Sequence, residues 1–91
     1  MKRHVSITIH GRVQKVGFRF LAIEKALELG LTGIVKNYGN DQVQIKVEGE
    51  VEQLQIFLKW CHRGPEGAKI EKVDYESSEE LKGYEDFSAE I

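Results

Sequence analysis

The 91-residue chain has a net charge of −2, with 41% hydrophobic and 31% charged residues and one proline, and this composition is typical of one globular domain over residues 1–91. No apolar run approaches the roughly 20 residues that a membrane-spanning helix needs, so we expect no membrane association. Because Cys61 is the sole cysteine, no intrachain disulfide can form, and we expect a reducing, cytoplasmic compartment.

The first third of the chain predicts a strand, a loop and a helix. Apolar and polar side chains alternate from His4 to His10, as in a strand with one buried face. The glycine-containing segment 11–17 interrupts this alternation and predicts a loop. Residues Phe18–Leu29 follow with helical spacing, and Gly30 is a natural stop. The predicted core-facing stripe of this helix consists of Phe20, Ile23 and Leu27, flanked by Ala22 and Ala26.

The remaining chain predicts a hairpin, a second helix and two further strands. Leu31–Tyr38 and the alternating segment Val43–Val47 are joined by turn residues and form the hairpin. The segment Val51–His62 predicts a helix, and Cys61 falls on its apolar stripe, where we expect it to be buried. The last predicted elements are an irregular, bulged strand through Ile70, Val73 and Tyr75, a polar loop at 77–83, and a short strand over Phe87–Ile91.

The order β-α-β-β-α-β, with a short fifth strand, predicts a ferredoxin-like α+β sandwich. Two helices cover one face of an antiparallel sheet, and the other face meets solvent. On that face we expect His4 and His10 to be exposed. RNA-recognition domains share this element order, but they stack bases on exposed aromatic side chains of the central strands. The polar face here carries none, so we expect no nucleic-acid partner.

The loop before the first helix has features of an anion-binding site. Gly11 and Gly17 allow close backbone approach, and the helix start adds unpaired N–H groups at the positive end of its dipole. Arg19 can add a bidentate phosphate contact. Residues 1–36 carry a charge balance of +5, against −7 for residues 37–91. These features alone are compatible with two interpretations, a phosphate-binding loop and an ordinary strand–helix loop with an exposed arginine.

Two motifs narrow this choice through a resemblance. The segment Gly11–Arg19, GRVQKVGFR, closely resembles the acylphosphatase signature G-x-V-Q-G-V-G-F-R, and Gly33–Asn37, GIVKN, is similar to that family's G-x-V-x-N. Other positions are also similar to those of small, common-type acylphosphatases, namely Val47-Glu48-Gly49, Trp60, Gly64-Pro65 and Phe87. The resemblance therefore covers essentially the whole chain.

The resemblance implies an enzyme that hydrolyses acyl phosphates, with inorganic phosphate as product and inhibitor and with neither a metal nor an organic cofactor. It implies that Arg19 binds the phosphoryl group and that Asn37 orients the attacking water. The substrate-binding loop positions implied in the same way are Gln14, Lys15, Val16, Gly17 and Phe18. We expect the protein to be a monomer.

Lys15 departs from the family pattern, which usually has glycine at that position. If the loop requires a positive φ there, lysine adds strain of about 1 kcal/mol or more, and activity falls. The chain would then be a phosphate- or acyl-phosphate-binding module with weakened or lost turnover. If lysine adopts an allowed conformation, its ammonium group adds attraction for the anion. We favour a folded, phosphate-binding loop.

Overall fold

The computed structural model describes residues 1–14 and 17–90, so the predicted loop positions Lys15 and Val16, and Ile91 of the predicted last strand, lie outside the described residues. Within the described residues, the elements follow one another in the predicted order. They are β1 (Lys2–Arg12), α1 (Phe18–Glu28), β2 (Thr32–Tyr38), β3 (Gln42–Glu50), α2 (Val51–Arg63), β4 (Lys69–Ser78) and β5 (Phe87–Ala89). Neither helix of this part of the chain has the length and apolar character needed to cross a membrane.

The strands form one sheet in the order β4-β1-β3-β2-β5. β1 pairs antiparallel with β3 and β4, and β2 pairs antiparallel with β3. β5 runs parallel to β2, with Phe87 opposite Gly33, so the sheet is antiparallel, as predicted, except for this pair at its edge. The β1–β4 register shifts between His10 and Gly11, which confirms the irregularity predicted for the fourth strand.

Both helices pack on one face of the sheet. The predicted burial of Cys61 on the apolar stripe of α2 is confirmed, and Leu54 and Phe57 are buried beside it on the same helix. Burial raises the pKa of the Cys61 thiol above its usual range, so this side chain packs as a small apolar group. The strands contribute Ile7, Ile9, Val35, Val43, Ile45 and Val47 to the same core.

α1 buries a different face from the one that its larger apolar residues predict. Phe18, Ala22 and Ala26 are buried, whereas Phe20 and Leu27 are 69% and 58% exposed. Residues spaced by four lie on one side of a helix, and two alanines there let the backbone of α1 approach the sheet closely. The prediction that Phe20 and Leu27 face the core is therefore wrong, because Phe18, Ala22 and Ala26 occupy the buried side of the helix.

The face of the sheet opposite the helices is partly covered by the segment 79–86. β4 and β5 lie at opposite edges, so these eight residues span four strand spacings, about 19 Å. An extended chain covers about 3.3 Å per residue, so the segment is long enough to cross the sheet directly. His4 and Glu48 lie opposite each other on β1 and β3 beneath it and are only 6% and 5% exposed.

Glu48 holds the middle of this crossing segment. Its Oε2 accepts a hydrogen bond from the Lys82 backbone N–H at 2.6 Å, and its Oε1 accepts one from the Gly83 N–H at 3.1 Å. His4 Nδ1 lies 2.7 Å from Oε2, and the Tyr84 ring stacks on the His4 ring with centroids 6.4 Å apart. The prediction that His4 is exposed is therefore wrong, because a later segment of the chain covers it.

Glu48→Gln tests whether the Glu48 carboxylate anchors the crossing segment 79–86. Burial alone would raise the pKa of Glu48, but the hydrogen bonds from Lys82, His4 and Gly83 hold it below its ordinary value of 4.5. The carboxylate therefore stabilises the fold above about pH 4.5, and this stabilisation is lost as the pH falls through the lowered pKa. We expect the variant to lose about 1–3 kcal/mol of unfolding free energy at pH 7 and to show a weaker acid dependence. Urea denaturation from pH 7 to pH 3 measures both.

Glu79→Gln is the matched control, because it removes a carboxylate from the same segment. Glu79 Oε1 lies 3.4 Å from Arg3 Nη1, and its side chain is 82% exposed. Exposed ion pairs contribute little, so we expect a change within about 0.5 kcal/mol. Equal losses in the two variants, or an unaltered acid dependence in Glu48→Gln, would contradict the anchoring role of Glu48.

Candidate active site

A cleft of about 450 Å³ opens at the N-terminal end of α1. Its size is within the range of small-molecule binding sites. Four segments meet there: the loop after β1, the first turns of α1, the end of β2, and β5. The described residues that line the cleft are Val13, Gln14, Gly17, Phe18, Arg19, Phe20, Ile23, Asn37 and Ala89.

The start of α1 presents N–H donors to this cleft that have no acceptor among residues 1–14 and 17–90. Gly17 is the N-cap residue, with φ 73°, and a side chain there would meet nothing within 4 Å, so glycine is favoured for its dihedral angle and not for space. The first intrahelical bond runs from the Leu21 N–H to the Gly17 carbonyl at 3.0 Å. The N–H groups of Phe18, Arg19 and Phe20 therefore precede the helical hydrogen-bond ladder and can donate to an anion.

The charge at this end of α1 is positive. No acidic residue occurs in the first turn, so no side chain of that turn neutralises the helix dipole. Arg19 is the second residue of the helix, is half-buried, and lines the cleft. A guanidinium group presents several N–H donors in a planar fork that matches phosphate oxygens. The helix start and Arg19 together form an electropositive end of the cleft.

Asn37 reaches the cleft from β2. The residue is half-buried, and its Oδ1 is buried without a hydrogen-bond partner among residues 1–14 and 17–90. A buried amide oxygen without a partner costs about 1–3 kcal/mol, so it is a strong acceptor for a water molecule or ligand that enters the cleft. A side-chain amide also carries two donors, so Asn37 can hold a water between donor and acceptor contacts.

Gln14 connects the loop after β1 to the β2–β3 turn. Its Nε2 donates hydrogen bonds to the carbonyl oxygens of Gly39 at 3.1 Å and Gln42 at 2.9 Å. The Gly11 N–H donates to the Asp41 carbonyl at 2.9 Å, which adds a third connection. These bonds fix the loop that precedes Arg19 against the turn that follows Asn37. Sequence reasoning assigned Gln14 to the substrate-binding loop and missed that its side chain holds this loop against the β2–β3 turn.

The structure brings together every predicted site residue that it describes. Gln14, Gly17, Phe18, Arg19 and Asn37 all line the cleft, although the Phe18 side chain is almost wholly buried in the core. Sequence reasoning missed four further lining residues, namely Val13, Phe20, Ile23 and Ala89. It placed Phe20 and Ile23 in the core, and of these two Ile23 does pack against the core while it also borders the cleft. Between residues 1 and 90, leaving aside the undescribed loop positions, no group of three metal-ligating side chains is close enough to hold an ion.

Comparison with known proteins identifies relatives over nearly the whole chain. The model of the acylphosphatase family matches residues 5–89. An acylphosphatase of Nostoc sp. is 40% identical over 93% of this chain and 84% of its own length, and one of Thermus thermophilus is 43% identical over 92% and 97%. The crystal structure of an acylphosphatase from Bacillus subtilis superposes with a TM-score of 0.93 at 33% identity, covering both chains completely.

Gln14→Ala tests the connection between loop and turn. The substitution removes two hydrogen bonds, so we expect the unfolding free energy to fall by about 1–2 kcal/mol. We also expect faster hydrogen exchange at the Gly11 amide, because the turn that accepts its hydrogen bond is held less firmly. Urea denaturation and amide exchange followed by NMR measure the two effects.

Gln44→Ala is the control for this substitution. Gln44 lies in β3 of the same hairpin and is also half-buried. Its removal should leave exchange at Gly11 as in the unmodified protein. If Gln14→Ala and Gln44→Ala change that exchange equally, the effect belongs to the hairpin in general and not to the Gln14 side chain.

Proposed function

This chain belongs to the acylphosphatase family, a family of hydrolases, and we propose that its cleft hydrolyses acyl phosphates to a carboxylate and inorganic phosphate. One observation carries the proposal. Arg19, the first N–H groups of α1 and the Asn37 side chain belong to one cleft, and within the described part of the chain neither those N–H groups nor Asn37 Oδ1 has a hydrogen-bond partner. The first two suit a phosphoryl group, and the third suits a water molecule.

In this proposal the phosphoryl group binds at the electropositive end of the cleft. Arg19 donates to its oxygens, and the N–H groups of Phe18, Arg19 and Phe20 donate from the helix start. The loop positions Lys15 and Val16 complete this set. The N–H donors at the start of α1 are fixed by the fold before substrate binds. They therefore stabilise the charge spread over the phosphoryl oxygens in the transition state without reorganising.

Asn37 positions the nucleophile in this proposal. A water molecule donates one hydrogen bond to Oδ1, and its oxygen attacks phosphorus in line with the bond to the acyl oxygen. That P–O bond breaks, and its electron pair leaves with the carboxylate. Because a carboxylate is a good leaving group, no strong general acid is needed. Asn37 cannot act as a base, so the water proton passes to a phosphoryl oxygen, and inorganic phosphate leaves.

We further propose that the protein acts as a monomer, as one domain, and in the cytoplasm. The family match extends from residue 5 to residue 89, which supports a single domain. The one cysteine is buried and free, as suits a reducing compartment.

Arg19→Ala and Asn37→Ala separate binding from turnover. Removing Arg19 deletes charge-assisted hydrogen bonds, so the inhibition constant of inorganic phosphate should rise about 100-fold. Removing Asn37 should lower kcat by about 100- to 1,000-fold, while the phosphate inhibition constant stays within about threefold. Benzoyl phosphate hydrolysis, with inorganic phosphate as competitor, measures both.

Matched controls exist for each substitution. Arg12, at the exposed end of β1, and Asn40, in the β2–β3 turn, are not among the residues lining the cleft. Arg12→Ala and Asn40→Ala should each keep at least about half of the wild-type kcat/KM, as surface substitutions generally do. An Asn37→Ala variant with wild-type kcat would refute the role proposed for Asn37.

Lys15→Gly tests whether the loop lysine limits activity. We expect the wild-type protein to hydrolyse benzoyl phosphate and the glycine variant to differ by less than about 30-fold, because a residue other than glycine at a positive φ costs about 1–2 kcal/mol. Inorganic phosphate should inhibit both proteins competitively. If only Lys15→Gly turns over while the wild type binds phosphate, the chain is a phosphate-binding module.

A further inference from the structure

One wall of the cleft is apolar, and the proposed chemistry does not use it. Phe20, Ile23 and Ala89 line the cleft beside Arg19 and Asn37. The Phe20 side chain is 69% exposed although it is large and apolar. A single exposed aromatic residue is ordinary on a protein surface. Phe20, however, follows Arg19 directly in the chain, and both residues line the same cleft.

We propose that Phe20 and Ile23 form an acyl-binding wall, which selects acyl phosphates with an apolar or aromatic acyl group. This inference rests on the proposed function and names the substrate class of the same site. Arg19 and Phe20 are adjacent in α1, and their Cα atoms are therefore about 3.8 Å apart. A phosphoryl group held by Arg19 and the helix start places its acyl substituent within reach of the neighbouring ring.

The chemistry of the wall favours an uncharged acyl group. Among the described residues that line the cleft, Arg19 is the sole charged one. Phe20 and Ile23 offer neither a cation nor a hydrogen-bond donor in their side chains. An apolar acyl group that covers them removes apolar surface of both partners from water, which favours binding. An aromatic acyl group adds ring–ring contact with Phe20.

Leu27 provides an internal comparison on the same helix. It lies two turns after Phe20, is 58% exposed, and is not among the residues that line the cleft. If the exposed apolar residues of α1 served only as a general surface, Phe20 and Leu27 would respond alike to substitution. If Phe20 belongs to the substrate site, only Phe20 affects the choice of acyl group.

The experiment compares benzoyl phosphate with acetyl phosphate in the wild type, Phe20→Ala, Phe20→Leu and Leu27→Ala. For Phe20→Ala we expect the ratio of kcat/KM for benzoyl to acetyl phosphate to fall about tenfold, because a few tens of Å² of apolar contact are lost. The lower kcat/KM for benzoyl phosphate should come from a higher KM, since the Phe20 ring contacts a part of the substrate that does not react. Phe20→Leu should lie between the wild type and Phe20→Ala, and Leu27→Ala should keep the wild-type ratio.

Each outcome separates this inference from the proposed function. A wild type that hydrolyses both substrates, with the same ratio in Phe20→Ala, would overturn the acyl-binding wall alone. A Phe20→Ala variant that loses both activities equally would also overturn it, because Phe20 would then act on the phosphoryl end. A wild type that hydrolyses neither substrate would overturn the proposed function and the wall with it. Circular dichroism of each variant confirms that the helices are retained.

Discussion

The packing of Phe18 at the first residue of α1 is the contact on which the cleft depends. Its ring is buried against Trp60 of α2, with centroids 5.3 Å apart, and Trp60 in turn stacks on Phe57 at 5.9 Å. Phe57 meets Phe87 of β5 edge-on at 6.2 Å. This aromatic chain fixes the start of α1 against the other helix and against the edge strand. The first N–H groups of α1 are therefore held at a defined position, because the Phe18 side chain is buried in the core.

The choice of buried residues in α1 also shapes the cleft. Because Phe18, Ala22 and Ala26 occupy the buried face, Phe20 is turned outward and Ile23 is only partly buried against the core. Phe20 and Ile23 then border the cleft, next to the charged Arg19. One short helix thus supplies both an electropositive end and an apolar wall. An acyl phosphate has the same division, with a charged phosphoryl group at one end and an organic group at the other.

The opposite face of the sheet contributes to the cleft indirectly. Glu48 binds two backbone N–H groups of the crossing segment 79–86, and this segment leads to β5 at the far edge. β5 carries Ala89, which lines the cleft, and Phe87, which ends the aromatic chain. A buried carboxylate that accepts two backbone hydrogen bonds and faces a histidine holds the segment more firmly than exposed side chains could. The site is thus supported from both sides of the sheet.

The sequence by itself determined the element order and the core face of α2, because periodicity and local glycine chemistry are properties of neighbouring positions. The site residues were predicted from the resemblance of two motifs to those of the acylphosphatase family. The sequence also predicted that Arg19 follows a glycine-containing loop and that Asn37 ends a strand. It could not determine which face of α1 is buried, since Phe20 and Leu27 are as apolar as core residues. Nor could it reveal the burial of His4, the parallel pairing of β5 or the side-chain bonds of Gln14. Each of these depends on contacts between residues more than 20 positions apart in the chain or on the distance between helix and sheet, and only the tertiary structure decides them.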